Sequence, residues 1–166
     1  MDGKTNWIFE GREIKSLEDI PEEFQGAFGF IYNITTSEGK EYIGKKNLSH
    51  KNSRVIGKRE LANHPDKRKL RKYKSKKGKK KGQWIYYEER YKDSGWVEYT
   101  GSNNLLNKDI EKGVGITKYI LKFVLKESMM TYEETKAILC TNALEEEKFY
   151  NDHAGNFYKK NIIGKK

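Results

Sequence analysis

Two tyrosines stand where chemistry is possible. Tyr32 and Tyr42 occupy matching ends of two short runs joined by a polar turn, GFIYNITTSEGKEYIGKK at residues 29–46, and Gly44, Lys45 and Lys46 follow the second tyrosine closely. A phenol titrates near pH ~10, so at neutral pH it takes a proton from water only where a metal or another cation depresses its pKa. Lys45 and Lys46 are placed to supply that cation or to hold a phosphate. The ordinary alternative for two tyrosines in a hairpin is cross-strand packing.

The second chemical signal is charge. The chain of 166 residues carries a net charge of +10, and eleven of the fifteen residues at 67–81 are Lys or Arg, with no acidic residue among them. Without that stretch the balance falls to −1. Adjacent cations displace counterions from a phosphate backbone together, so a clustered excess points to a polyanion partner. Arg68, Lys69, Arg71, Lys72, Lys74, Lys76, Lys77, Lys79, Lys80 and Lys81, with Lys46 and the nearby Trp84, are the candidate nucleic-acid contacts. Tyr73, Tyr86 and Tyr87 add aromatic surface to the same stretch. A solvated loop and a nuclear-localisation signal are the competing readings of such a run.

Other classes drop out on composition. The single cysteine, Cys140, forms no internal disulfide and cannot build a cysteine-based zinc site. It falls in an apolar helical pattern and is expected to be a small core residue. The histidines His50, His64 and His153 lack metal-ligand spacing. No apolar run approaches a membrane span, and MDGKTNWIFEGRE lacks the basic-then-apolar pattern of a secretory leader. A cytoplasmic setting (that of the host cell, were the chain phage-encoded) and no membrane partner are expected.

The elements that must position these residues follow from pattern. Residues 29–46 read as a hairpin, because β-branched and aromatic runs flank a turn containing Gly39. An arm at 1–25 precedes it, in which Trp7, Ile8 and Phe9 form a strand or pack on the core, and Ser16 caps a short turn at 17–19. A long basic and aromatic insertion at 47–98 follows, with a short helix from Lys58 to Ala62 and strand-like composition at 84–91. Ser102 or Asn103 is a good N-cap for a helix that Gly113 and Gly115 stop. Residues 116–125 fit both a helical period and a strand, and their β-branched and aromatic content favours the strand. A helix at about 131–150 with a break near Thr141-Asn142 comes next, and the tail at 155–166 adds a small strand or packs loosely. The length suits one domain, 1–166, of α+β class.

The motif, the order of the elements and the later segments together resemble the GIY-YIG nuclease family. The first half is altered to Gly29-Phe30-Ile31-Tyr32, and Tyr42-Ile43-Gly44 matches letter for letter. The phage-type members, with a Lys-rich insertion after the YIG motif, are the most similar. They share the stretch from Trp96 to Ser102 before the first core helix, the run Tyr132-Glu133-Glu134-Thr135-Lys136, and the pair Tyr150-Asn151. The resemblance implies a small three-stranded antiparallel sheet flanked by helices. It also implies a metal-dependent endonuclease that hydrolyses or nicks phosphodiester bonds, with Mg²⁺ or Mn²⁺ as cofactor and DNA, duplex or branched or single-stranded, as partner.

Residue by residue, the resemblance implies Glu134 as metal ligand, Tyr32 and Tyr42 in water activation, and Asn151 in support. Glu133 and Glu134 point about 100° apart on a helix, so they are not expected to share one ion. Many family members carry an arginine on the first core helix, whereas this chain offers only Lys108 and Lys112 there. Lys45 and Arg54 are the replacements considered for stabilising phosphate charge, with Arg59 a further one and His50 a secondary base. The departure also leaves open a catalytically inactive nucleic-acid-binding module on the same fold. A structural protein whose basic loop binds RNA or an acidic partner is the third reading.

Overall fold

A computed structural model describes residues 5–163, so the N-terminal four residues of the arm and the last three of the tail lie outside the described residues. The chain forms two compact units, one from the chain up to Leu48 and from Gly95 onward, the other from Ser49–Ser94.

In the first unit, β1 (Trp7–Phe9) and β2 (Arg12–Ile14) make a tight hairpin. Its two linking residues, Glu10 and Gly11, both have positive φ, 49° and 79°, which matches the twist of the flanking strands. β3 (Gly29–Thr36) and β4 (Glu41–Asn47) are the hairpin expected around the two tyrosines, paired from Gly29 with Asn47 to Thr35 with Glu41. In the second unit, β5 (Ser49–Val55), α1 (Lys58–Ala62), β6 (Arg71–Lys74) and β7 (Trp84–Asp93) follow, and the strands form an antiparallel sheet in the order β5-β7-β6.

The chain then returns to the first unit with α2 (Asn104–Glu111), β8 (Ile116–Val124) and α3 (Met130–Cys140). The short β9 (His153–Ala154), β10 (Phe157–Tyr158) and α4 (Lys159–Ile162) close it. The strand alternative for 116–125 is the one adopted. Asn103 caps α2, its Oδ1 accepting from the N–H groups of Leu105 and Leu106 at 2.9 and 3.1 Å. The final helix is shorter than the expected 131–150: α3 stops at Cys140, at the break expected near Thr141-Asn142, Asn142 takes φ 54°, and the residues after it run as turns rather than as a second helix.

The sheet is larger than expected. Its order is β2-β1-β8-β3-β4, with β1 parallel to β8 and the other pairs antiparallel. The expected three antiparallel strands, β8-β3-β4, form one side of it, and the arm extends it beyond β8 to a five-stranded mixed sheet. The reason is apolar burial at the arm: Trp7 and Phe9 point into the core beside Phe30, Phe123 and Ile14. The Trp7 indole N–H also donates to the Trp96 carbonyl at 2.8 Å. A second expectation is corrected at Cys140, which is exposed at the end of α3. The apolar face of that helix passes through Met130 and Ile138 instead.

Both faces of β3 are covered. Phe30, Tyr32 and Ile34 join Trp7, Trp96, Leu106 and Ile120 in one core. Ile31 on the opposite face joins Ile43, Val124, Met130, Ile138 and Leu144 in another, under α3. Alternation along a strand gives one sequence run two cores to fill, which explains why 30–34 is apolar at nearly every position.

Lys118 on β8 is buried among these apolar residues, 2% exposed. Its ammonium donates to the Val97 carbonyl at 2.7 Å and lies 4.6 Å from the Trp7 ring centroid. It thereby holds the segment leading to α2. Burial pulls its pKa down to about 8 from 10.5. Because the folded value is the lower one, the folded state binds fewer protons between those values, so this contribution grows as pH rises and is lost as pH falls through about 8. Lys118→Met should therefore remove a pH-dependent component. The wild type's unfolding free energy, relative to the variant's, should rise by about 3 kcal/mol from pH 7 to pH 10.5, read by urea titration at each pH. A constant difference across that range would rule the effect out.

Candidate active site

β4 is the edge strand of the sheet, and its free backbone is used by a loop rather than by another strand. The Glu41 N–H donates to the Lys148 carbonyl at 2.9 Å, and the Tyr150 N–H donates back to the Glu41 carbonyl at 2.8 Å. Two residues on, Asn151 takes over with its side chain. Its Oδ1 accepts from the Ile43 N–H at 3.0 Å, and its Nδ2 donates to the Ile43 carbonyl at 2.8 Å. Asn151 is buried, so both backbone groups of Ile43 depend on it. The Nδ2 of Asn103 donates to the Tyr150 carbonyl at 2.9 Å, which ties the start of α2 to the same loop.

These ties frame an open cavity of about 490 Å³. Tyr42 reaches it from one face of β4 and Lys45 from the other, Ser102 and Asn103 from the start of α2, Thr131 and Glu134 from α3, and Asn151 and Asp152 from the loop. Thr131, Glu134, Thr135 and Ile138 are one face of α3 at helical spacing, so the face turned to the cavity could have been read from the sequence. Glu133 leaves that face and pairs with Lys122 at 2.8 Å. Glu134 instead meets the Lys45 ammonium at 3.0 Å, and Lys45 also donates to the Thr131 hydroxyl at 2.8 Å.

The tyrosines divide their work. The Tyr42 hydroxyl is 3.1 Å from the Ser102 Oγ at the cavity wall. Tyr32 stands behind it in the core, ring centroids 6.1 Å apart, and does not line the cavity. The Tyr32 ring lies across Gly44, its register partner: a Cβ built there would be 2.6 Å from the ring's Cζ. The glycine of the motif is thus what lets the first tyrosine cross the strand. Burial is the main cause that pushes both phenols above their ordinary pKa. For Tyr32, the neighbouring Tyr42 and Tyr99 add to it, and for Tyr42 the hydrogen bond with Ser102 works the other way. Both phenols keep their protons at neutral pH and act as hydrogen-bonding hydroxyls unless a cation draws the proton off.

A family likeness covers most of this chain. A family model described as "Putative endonuclease segE, GIY-YIG domain" matches residues 7–162. The chain belongs to the GIY-YIG family. Searches of curated proteins and of solved structures found no significant match. In this GIY-YIG chain the match begins at Trp7, so the arm that completes the sheet belongs to the matched region.

Of the residues singled out from the sequence, the GIY-YIG unit brings Tyr42, Lys45, Glu134 and Asn151 to one cavity. Lys46 faces elsewhere, its ammonium 4.2 Å from the Tyr99 ring centroid. Arg54 belongs to the second unit, where its guanidinium pairs with Glu60 and, at 2.8 Å, with Glu88. The whole basic run, Arg68 to Lys81, and Trp84 also lie in the second unit. His50 is on β5 there, the His64 Nδ1 accepts from the Asp66 N–H at 3.2 Å, and His153 lines the cavity. Ser102, Thr131 and Asp152 were missed because a hydroxyl or a loop carboxylate has no signature in sequence until the fold collects it.

The donor set limits the metal this cavity suits. Among the described residues, no three His, Cys, Asp or Glu side chains group as they would to hold an ion. Glu134 with the hydroxyls of Tyr42 and Thr131 is a hard, oxygen-only set, and the cavity has room for several waters. Oxygen donors of this kind suit a hard ion such as Mg²⁺ or Mn²⁺, which keeps much of its hydration. No helix among the described residues is long and apolar enough to cross a membrane.

Proposed function

We propose that the protein is a metal-dependent endonuclease that hydrolyses or nicks phosphodiester bonds in DNA. The observation that carries this reading is the meeting of Tyr42, Lys45 and Glu134 in one open cavity beside the motif strands. Glu134 is the residue that would hold a divalent ion, which supplies charge stabilisation for the phosphate and its leaving oxygen. Tyr42 would orient the attacking water through its hydroxyl, with Tyr32 fixing the Tyr42 ring from behind. Lys45 takes the place of the helix arginine common in the family. Its ammonium already stands next to Glu134 and would neutralise the phosphate there.

Arg54 is engaged by two carboxylates and is the second choice for that role. Asn151 positions the site through the edge of β4. The basic run of the insertion would grip the backbone by charge, with little sequence readout. We read the chain as one GIY-YIG domain carrying this Lys-rich segment as an insertion, of the phage type and acting in the cytoplasm.

Incubation with supercoiled plasmid tests the reading. Nicked circles should accumulate with Mg²⁺ or Mn²⁺ and should not form when EDTA is present. Cleavage that survives chelation would overturn metal dependence. DNA binding without any cleavage at either ion would favour a non-cutting binding module.

A further inference from the structure

The sheet of the second unit sorts its aromatic residues by face. Lys74 pairs with Trp84 and Lys72 with Tyr86, whereas Arg71 pairs with Tyr87 and Tyr73 with Ile85. Paired residues share a face and successive residues alternate. One face therefore carries Trp84, Tyr86, Lys72 and Lys74, and the other carries Arg71, Tyr73, Tyr87 and Ile85, with Arg71 paired to Glu89 at 3.1 Å. Tyr87, a near neighbour of Trp84 and Tyr86 in sequence, lies on the opposite face, 5.9 Å from Tyr73 ring to ring.

The Trp84 face has the chemistry of an unfilled contact. Trp84 is 54% exposed, although an indole is among the side chains that gain most from burial. The Lys72 ammonium lies 5.0 Å from its ring centroid and 6.0 Å from that of Tyr86. Lys76, Lys77, Lys79, Lys80 and Lys81 lie between β6 and β7 on the adjoining turn. Lysines select a polyanion. Aromatic planes select ring faces, and a polyanion presents ring faces only where its bases are unpaired, since a duplex closes them inside its own stack.

We infer that the Trp84–Tyr86 face is a stacking platform for single-stranded nucleic acid, with Lys72 and Lys74 holding the neighbouring phosphates. The inference rests on the endonuclease reading for the class of ligand, and it narrows the substrate to strands with an unpaired stretch, single or branched.

Trp84 reports on its own occupancy, because the other two tryptophans, Trp7 and Trp96, are buried. The full chain in EDTA is titrated with oligo-dT of about 16 nucleotides and with a duplex of equal phosphate count, following tryptophan fluorescence and anisotropy of the labelled strand. Oligo-dT should quench the emission, and the duplex should bind without quenching. Trp84→Ala should weaken oligo-dT binding about ten-fold and leave duplex affinity within about two-fold. Tyr91→Ala is the control, since Tyr91 is 66% exposed on the face that carries Tyr87 and should change neither.

Equal quenching by both ligands, or equal or no loss of binding on Trp84→Ala, would overturn the platform. So would failure to bind either ligand. Duplex binding with a silent Trp84, together with metal-dependent cleavage, removes the platform and keeps the nuclease. Oligo-dT quenching without cleavage by the metal-loaded chain does the reverse.

Discussion

Glu134→Gln should lower the rate of Mg²⁺-dependent plasmid nicking by about 10³-fold or more, because one bound cation contributes several kcal/mol of transition-state stabilisation and each ~1.4 kcal/mol is tenfold in rate. The substitution keeps the size and helix preference of the side chain and removes only its charge. It breaks the contact with the Lys45 ammonium, but both groups are partly solvated, so the stability cost should stay within about 1 kcal/mol. Glu133→Gln is the paired control. Glu133 turns away to Lys122, and its loss should leave nicking within about two-fold. Single-turnover rates and thermal melts on both variants separate the outcomes. A Glu134→Gln protein that cuts at the wild-type rate would remove the metal role from this residue, and one that melts far below the wild type would make its role structural.

Gly44→Ala should damage both stability and activity. The added Cβ would meet the Tyr32 ring, with Cζ at 2.6 Å. That ring cannot retreat. It is held by Trp7 at 5.2 Å, Tyr99 at 5.9 Å and Phe30 at 6.2 Å between centroids, in a core where it is 1% exposed. Overpacking of this kind costs about 1–3 kcal/mol, and the rigidity of the aromatic cluster puts the expectation at the upper end. Displacement of Tyr32 would also shift Tyr42, so nicking should fall with stability. A urea midpoint lowered at unchanged m would show the loss. A double-mutant cycle with Tyr32→Leu identifies its cause, since the loss at Gly44→Ala should shrink by about 1 kcal/mol or more once the ring is gone. Strictly additive effects would mean that the methyl acts elsewhere.

The sequence carried the elements better than it carried their joining. The hairpin, a cap at Ser102 or Asn103, the strand begun at Ile116 and a break near Thr141-Asn142 followed from local pattern: alternation, a polar residue before a helix, β-branched content, and polar residues interrupting an apolar period. The arm was harder. A three-residue run such as Trp7-Ile8-Phe9 is too short for any period to declare itself, and its place beside β8 is decided by which side of the sheet still lacks apolar cover. Cys140 misled because an apolar neighbourhood in sequence does not say which side of a helix faces in.

Within the site, Glu134 and Lys45, both singled out from the sequence, stand in contact. The hydroxyls of Ser102 and Thr131 come from segments far apart in the chain and were silent until brought together. The role of Gly44 could be guessed only as a turn or a close approach. That the close approach is made by Tyr32 itself, the partner in the same motif, is a fact of register.

The stem of the second unit has a consequence of another kind. Ser49 pairs with Asp93 at the first and last positions of the β5–β7 ladder, so the chain enters and leaves the second unit through two adjacent, antiparallel strands. Facing strands lie only about 5 Å apart, a gap that a tight turn spans. A segment with its ends so close is topologically a long hairpin loop, so its length can change without altering any strand order in the sheet that bears the motif.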